Sequence, residues 1–260
     1  MPALIGMTFM TRVAMMAACA SAPAGAAEKT FASGPARVAL VELFTSEGCS
    51  SCPPAEKWLN NLRDTPGLWR DFVPVAFHVN YWDHLGWKDA LASKAFTERQ
   101  HAYAGAWRAS SVYTPCFVRN GAEWRPRGAA PEGPGDAHAG LLTLRWHADD
   151  HTCVVEYAPP AQPDVRTAGR MEFDVSVALL GGGIENDVRR GENSGRTLRH
   201  EFVALRLATA ALGAFKDGVR SARLTLPPRA EIKVEREALA AWVTRRGSLM
   251  PLQAAGGWLE

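Results

Sequence analysis

The 260-residue chain has almost no charge imbalance: 29 lysines and arginines face 27 acids, leaving a formal net charge of +2 at neutral pH. Such a balance points to no polyanionic partner. No basic block interleaves with aromatic residues, so the usual footprint of nucleic-acid binding is missing. No internal repeat is visible. Long hydrophobic runs are scarce as well. The apolar stretch from Val13 to Ala26 is too short to span a membrane, and Pro23 interrupts it. Cysteine is rare, with five in the chain and a single closely spaced pair. A closed zinc site built on such a pair wants two further ligands at similar spacing, and no second pair exists. No cofactor is expected.

The N-terminal run has a different reading. Arg12 precedes a short apolar core that ends in small residues, Ala24-Gly25-Ala26. This is the layout of a secretory signal over residues 1–27, cleaved near Ala26 or Ala27, and it predicts a periplasmic or secreted protein. Met16-Ala17-Ala18-Cys19 is a weak match to a lipoprotein cleavage box, which makes a lipid anchor at Cys19 the less favoured alternative. Removal of Cys19 leaves Cys49, Cys52, Cys116 and Cys153, an even set in an oxidising compartment. The close pair reads as redox-active. Cys116 and Cys153 read either as a structural bridge or as free thiols.

The chain is organised around Val38 to Trp58. A nearly continuous apolar run, Val38 to Phe44, has the character of a strand covered on both faces. It breaks into Thr45-Ser46-Glu47-Gly48-Cys49-Ser50-Ser51-Cys52-Pro53-Pro54 and then turns amphipathic, with Ala55, Trp58, Leu59 and Leu62 at helical spacing. The two prolines suit the first helical turn, where their missing amide donors are not needed. A cysteine at a helix N-terminus is acidified by the dipole and the free backbone amides. Its partner one turn away can attack the mixed disulfide that the first one forms.

A second strand is expected over Phe72 to Val79, with Pro74 marking its start or weakening it. Strand, helix and strand in this order imply two parallel neighbours joined by a right-handed crossover. The loop from Asn80 to Asp89 carries His84, Asp83 and several aromatics, and His78 lies just before it. This is the edge where open α/β sheets place their sites. An imidazole there would tune or protonate a thiolate, although a histidine bonded only to backbone is the commoner case. A helix follows from Ser93 to about Trp107, then a hairpin turned at Asn120-Gly121. Thr114-Pro115 opens that hairpin, where a thioredoxin-type fold keeps a cis-proline facing its cysteine pair.

From 128 to 140 the chain is rich in proline, glycine and alanine, which reads as a linker. Beyond it the expectation is β: a hairpin over 141–146 and 152–157, then strands near 171–180, 199–207, 221–226 and 239–244. Ala208 to Phe215 reads as a short helix. The polar, glycine-punctuated loop Arg189 to Arg196 would bring Glu192 or Arg196 to the cysteines if it folded back over them.

Val41 to Pro54, Phe77 to Asp83, Leu85 to Asp89, Tyr113-Thr114-Pro115 and Gly191 to Leu198 together resemble the DUF1223 family. The resemblance runs from Val38 to about Trp242. It implies an exported bacterial protein of thioredoxin-like fold, in a family whose function is not established. Cys116 departs from the family pattern, which carries a non-cysteine, often Gln or Gly, directly after this proline. A lone extra cysteine is most often a small buried apolar residue.

The expected architecture is an α/β thioredoxin-like domain over 37–127, the 128–140 linker, and a smaller, mostly β, sandwich-like domain over 141–255. The expected function is thiol-disulfide exchange with exported protein thiols or disulfides, or with a redox partner. Cys49 is the attacking thiolate, Cys52 resolves, and Thr114 and Pro115 form the docking edge. His78, Asp83, His84, Cys116, Glu192 and Arg196 are candidate modulators. Two alternatives stay open. One is a periplasmic copper-binding or metal-delivery protein using Cys49, Cys52, His78, His84 and Cys116, since copper(I) favours thiolates and accepts imidazole. The other is a non-catalytic thioredoxin-like binding module.

Overall fold

Ala39–Thr45 (β2) is buried at every position, so it must lie inside a sheet covered on both faces. A computed structural model describes residues 28–128, 130–131, 138–160, 171–228 and 231–259. The expected signal sequence and Cys19 lie outside the described residues, as do residues 129 and 132–137 of the expected linker. The protein is mostly β. The first segment contributes Glu28–Ala32 (β1), β2, helix Pro53–Asn61 (α1), Phe72–His78 (β3), helix Lys94–Trp107 (α2), Cys116–Arg119 (β4) and Ala122–Trp124 (β5). The rest is strand: Leu141–His147 (β6), Thr152–Ala158 (β7), Phe173–Gly182 (β8), Ile184–Val188 (β9), Arg196–His200 (β10), Val203–Ala211 (β11), Arg220–Thr225 (β12), Arg236–Arg245 (β13) and Pro251–Trp258 (β14).

Eight strands form one mixed sheet in the order β14-β13-β8-β11-β3-β2-β4-β5. β2 and β3 run parallel over their full length, as a crossover through α1 requires. β11 joins β3 in parallel at Val203 and Ala76, so strands on either side of residues 128–140 share this sheet. Pro74 lies inside β3, not at its start. Ala76 donates its amide to the Phe202 carbonyl. Residues two apart point the same way, so the missing donor of Pro74 faces the side where β11 has not yet begun.

A four-stranded antiparallel sheet, β1-β6-β7-β12, packs its inner face on one end of the large sheet. Leu142, Leu144, Val155 and Tyr157 meet Val175 and Val177 of β8 and Leu239 and Val243 of β13. Each such buried aliphatic contributes about 1.5–3 kcal/mol relative to exposure. The opposite face of the large sheet carries a second core, in which Leu40, Phe44, Phe77, Tyr103 and Trp242 are buried together.

Two expectations are corrected. Ala208 to Ala211 is strand, not helix, because it pairs residue by residue with Val177 to Asp174 of β8. Cross-strand packing there outweighs the helix preference of alanine. The strand expected over 199–207 is two strands, broken where Phe202 takes a positive φ of 58°. Cys116 and Cys153 belong to different cores, and all four described cysteines are free thiols. The hairpin turn at Asn120-Gly121 forms as the sequence indicates, with φ of 51° and 85°. No helix among the described residues is long and apolar enough to cross a membrane.

Candidate functional site

The chain leaves β2 at Thr45 and turns through Ser46, Glu47 and Gly48. The Cys49 amide closes that turn on the Ser46 carbonyl at 3.2 Å, and the Cys52 amide bonds the Cys49 carbonyl at 3.2 Å. The Cys52 carbonyl then accepts the amides of Ala55 and Glu56 at 2.9 and 3.1 Å. Cys52 is therefore the N-cap residue of α1, and Pro53 and Pro54 occupy the first turn.

Cys49 is 0 % exposed. Its sulfur lies 3.2 Å from Ser51 Oγ and 3.7 Å from the Thr114 carbonyl oxygen. A hydrogen bond from the Cys52 thiol is the strongest influence on it, and Ser51 and Thr114 add to that. Together they outweigh burial and lower the Cys49 thiol to about 6. Cys52 moves the other way. Burial, and then its position beside the Cys49 thiolate, push it far above the ordinary thiol range. Cys49 is thereby the more acidic thiol of the two.

Thr114-Pro115 is the cis peptide bond of the described chain. Its Thr114 carbonyl also accepts from Ser51 Oγ at 3.4 Å. Trp82 donates its indole N–H to Thr114 Oγ1 at 2.8 Å, which ties the loop after β3 to this corner. Gly48 makes that approach feasible, since a Cβ there would fall 2.9 Å from Trp82 Cβ. Gln100 on α2 donates to the Tyr113 carbonyl at 2.7 Å and accepts from Tyr81 at 3.2 Å.

The loop from Arg189 to Arg196 folds onto the cysteine loop. Glu192 accepts the Ser50 amide at 2.8 Å and the Ser50 hydroxyl at 2.7 Å, and these bonds lower its carboxyl. Asn193 is buried, and its amide donates to the carbonyls of Glu47 and Cys49 at 2.9 and 2.8 Å. Arg196 reaches the cysteine loop only through Asn193 Oδ1, at 2.8 Å.

Beneath the cysteines lies a buried charged cluster. The Thr45 hydroxyl donates to Glu56 of α1 and lies beside Cys52. Glu56 Oε2 sits 2.6 Å from His200 Nδ1, and His200 Nε2 sits 3.1 Å from Glu47 Oε1. Glu47 is itself held by Asn186 at 2.6 Å and by the Trp87 indole at 2.7 Å. Its backbone amide donates to Asp89, which holds His78 Nδ1 at 2.8 Å. Burial alone would raise Glu56, but the His200 charge and hydrogen bond overcome it and leave the carboxyl at about 2. Burial would likewise lower His200, but Glu56 and Glu47 lift it to about 10. Burial of Asp89 is outweighed by His78, so its carboxyl is lowered.

The other candidates have partners of their own. His84 is exposed, with Nδ1 2.7 Å from the Tyr81 carbonyl oxygen. Asp83 accepts the Asp89 amide at 3.2 Å, and burial raises its carboxyl. The Cys116 sulfur points to the Phe117 carbonyl at 4.0 Å, and burial pushes its thiol up to about 11. Among the described residues, the His, Cys, Asp and Glu donors that converge are those of Glu56, His78 and His200, within 4.8 Å of one another. Neither cysteine of the pair belongs to that group.

Glu47, Glu56, Asp89, Asn193 and His200 are the residues that sequence reasoning passed over. Glu47 and Glu56 carried a signal, as acids flanking the cysteine motif next to an otherwise apolar strand. His200 carried none. It reaches the cluster because β10 ends against α1, 144 residues after Glu56 in the chain.

A family described as "Protein of unknown function (DUF1223)" matches residues 40–244. No curated protein matches the chain. The fold is similar to that of an Agrobacterium tumefaciens protein solved by X-ray crystallography, with 24% identity and a TM-score of 0.55 over 86% of this chain and 94% of that one. It is also similar to HBP35 of Porphyromonas gingivalis, with 13% identity and a TM-score of 0.58 over 86% of this chain and 76% of that one.

Proposed function

The chain belongs to the DUF1223 family, and from that starting point we propose that it is an exported thiol-disulfide oxidoreductase working through Cys49 and Cys52. The observation that carries this reading is the placement of the pair: Cys52 caps α1, and the Cys49 sulfur lies 3.2 Å from Ser51 Oγ and 3.7 Å from the Thr114 carbonyl oxygen beside the cis-proline. The lowered Cys49 thiol and the raised Cys52 thiol suit the same reading. We read β2-α1-β3-α2-β4-β5 as a thioredoxin-like unit. Its parallel β2 and β3 and its antiparallel β4 and β5 suit that reading, as does a cis-proline beside the cysteines.

The exchange would run in two balanced steps. The Cys49 thiolate attacks one sulfur of a partner disulfide, that S–S bond breaks, and the other partner sulfur leaves as thiolate. Cys52 then attacks the Cys49 sulfur of the mixed disulfide, and the second partner sulfur leaves with the proton that Cys52 gives up. Two electrons pass to the partner, and a Cys49–Cys52 disulfide remains. Run backwards, the same steps oxidise a dithiol. Because Cys49 is buried, the cover formed by Ser51, Thr114 and the 189–196 loop has to part first. The bonds from Glu192 to Ser50 are solvent-exposed and exchange readily with water. Thr114 and Pro115 are the docking edge in this scheme, and Arg196 acts through Asn193.

The test is trapping. A Cys52→Ser variant mixed with a disulfide-bonded peptide accumulates a mixed disulfide at Cys49, whereas Cys49→Ser accumulates none. Equal, slow labelling of both variants would sink the proposal.

A further inference from the structure

We propose that Glu56, His78 and His200 form a buried site for a zinc-class divalent cation, directly beneath the cysteine pair and without a cysteine ligand. One donor atom from each residue lies within 4.8 Å of the other two, and all three residues are buried. The three come from α1, the end of β3 and the end of β10, so the fold gathers them from distant parts of the chain.

The independent observation is His78. Its ring is 0 % exposed, and Nδ1 is fixed by Asp89 at 2.8 Å. Its Nε2 has no hydrogen-bond partner among the described residues. An unpaired buried nitrogen is unfavourable, yet here the surrounding structure holds it in place. His200 differs in having both nitrogens engaged: Nε2 is held by Glu47 at 3.1 Å and Nδ1 by Glu56 at 2.6 Å. An imidazole with a carboxylate on one nitrogen and the other nitrogen turned into a shared space is how metal-binding histidines are oriented. Two imidazole nitrogens and one carboxylate oxygen make a donor set suited to zinc, with a fourth position for water.

Donor atoms around tetrahedral zinc are about 3.3 Å apart, so the 2.6 Å His200–Glu56 contact widens on binding, and the group as a whole, within 4.8 Å, draws in around the ion. The ion takes the place of the proton on His200 Nδ1, which is released. A cavity of about 360 Å³ between α1 and β10, lined by Pro53, Glu56, Asn60, Leu198 and Arg199 among others, reaches Glu56 from the surface and offers a way in. Thr45 donates to this carboxylate and lies beside Cys52, so an ion here would sit close beneath the cysteine pair. The site does not depend on the exchange activity.

The full chain, purified reduced and stripped of metal with a chelator, is dialysed against micromolar zinc chloride and its bound metal is counted. One zinc per chain is expected, both in the wild type and in a Cys49→Ser, Cys52→Ser double variant. His78→Gln should lose the ion, and Asp89→Asn should bind about 10–100-fold more weakly. Cobalt(II) loaded into the wild type keeps the test decisive if His78→Gln does not fold. Visible d–d bands without a sulfur-to-cobalt charge-transfer band are expected. No retained zinc in the wild type, a sulfur-to-cobalt band, or loss of zinc in the cysteine variant would each overturn the proposal. The double variant has no exchange chemistry, so failure of one reading is distinguishable from failure of the other.

Discussion

His200 Nδ1 lies 2.6 Å from Glu56 Oε2, and this contact pins the end of β10 against the helix that begins at Cys52. The β-rich part of the chain therefore supplies more than a scaffold. It places an imidazole under the cysteine pair, and its 189–196 loop closes over the top through Asn193 and Glu192. Thr45 lies between the two levels, donating to Glu56 below and lying beside Cys52 above.

Glu56→Gln removes the carboxylate that His200 faces and leaves its charge with Glu47 alone. Breaking one partner of a buried ionic group typically costs about 3–5 kcal/mol, and the remaining Glu47 contact places the expected loss at the lower end. Urea denaturation of the reduced protein measures it. A change within experimental error would show that the cluster is not held together as charges.

The Cys49 thiol falls from an ordinary value of 9.0 to about 6, so its labelling by iodoacetamide should rise with a midpoint near pH 6. The linkage has a definite sign. Between the folded value and 9 the native state binds fewer protons than the unfolded one, so stability rises with pH across that window. The contribution is fully present above about 9 and is lost as pH falls through about 6. Melting temperature measured against a Cys49→Ser control, which cancels the other titrating groups, should show this rise. A labelling midpoint near 9 would contradict it.

Glu192→Ala frees Ser50 and loosens the cover over Cys49. Labelling of Cys49 should accelerate severalfold with little change in melting temperature, because the carboxylate is exposed. Asn193→Ala should accelerate it further and also destabilise the protein, since two buried backbone carbonyls lose their donor. Unchanged labelling in both variants would show that the loop does not control access.

Another buried ionic group holds the large sheet to α2. Arg99 Nε bonds Glu42 at 2.7 Å, and the Tyr103 hydroxyl donates to the same carboxylate. Arg99→Met strands Glu42 and should cost about 3–5 kcal/mol. Adding Glu42→Gln should restore part of that loss, which a double-mutant cycle would read as coupling.

Much of this architecture is legible in the sequence where the pattern is local. The strand before the cysteines, the proline-started helix, the Asn120-Gly121 turn and the hairpin of β6 and β7 all follow from residue type and spacing. Contacts that join distant segments are not. β14 reads as Pro251-Leu252-Gln253-Ala254-Ala255-Gly256-Gly257-Trp258, small residues with little strand propensity, and it forms because β13 pairs with it. Glycine at 256 is required because a Cβ there would fall 2.5 Å from the Leu239 carbonyl oxygen. At the site, Cys49, Cys52, Thr114 and Pro115 are visible as motifs. His200 and Asn193 become functional neighbours only through the return of the chain after β9.

The most direct measurement of the central proposal is the redox state of the cysteines across a glutathione series. The protein is equilibrated at graded ratios of reduced to oxidised glutathione, quenched in acid and alkylated, and the modified residues are mapped by mass spectrometry. Exchange through this pair predicts one reversible two-electron transition that protects Cys49 and Cys52 together, while Cys116 and Cys153 stay reduced throughout. A pair that never changes state between the extremes, or oxidation that falls on Cys116 or Cys153 instead, would contradict it.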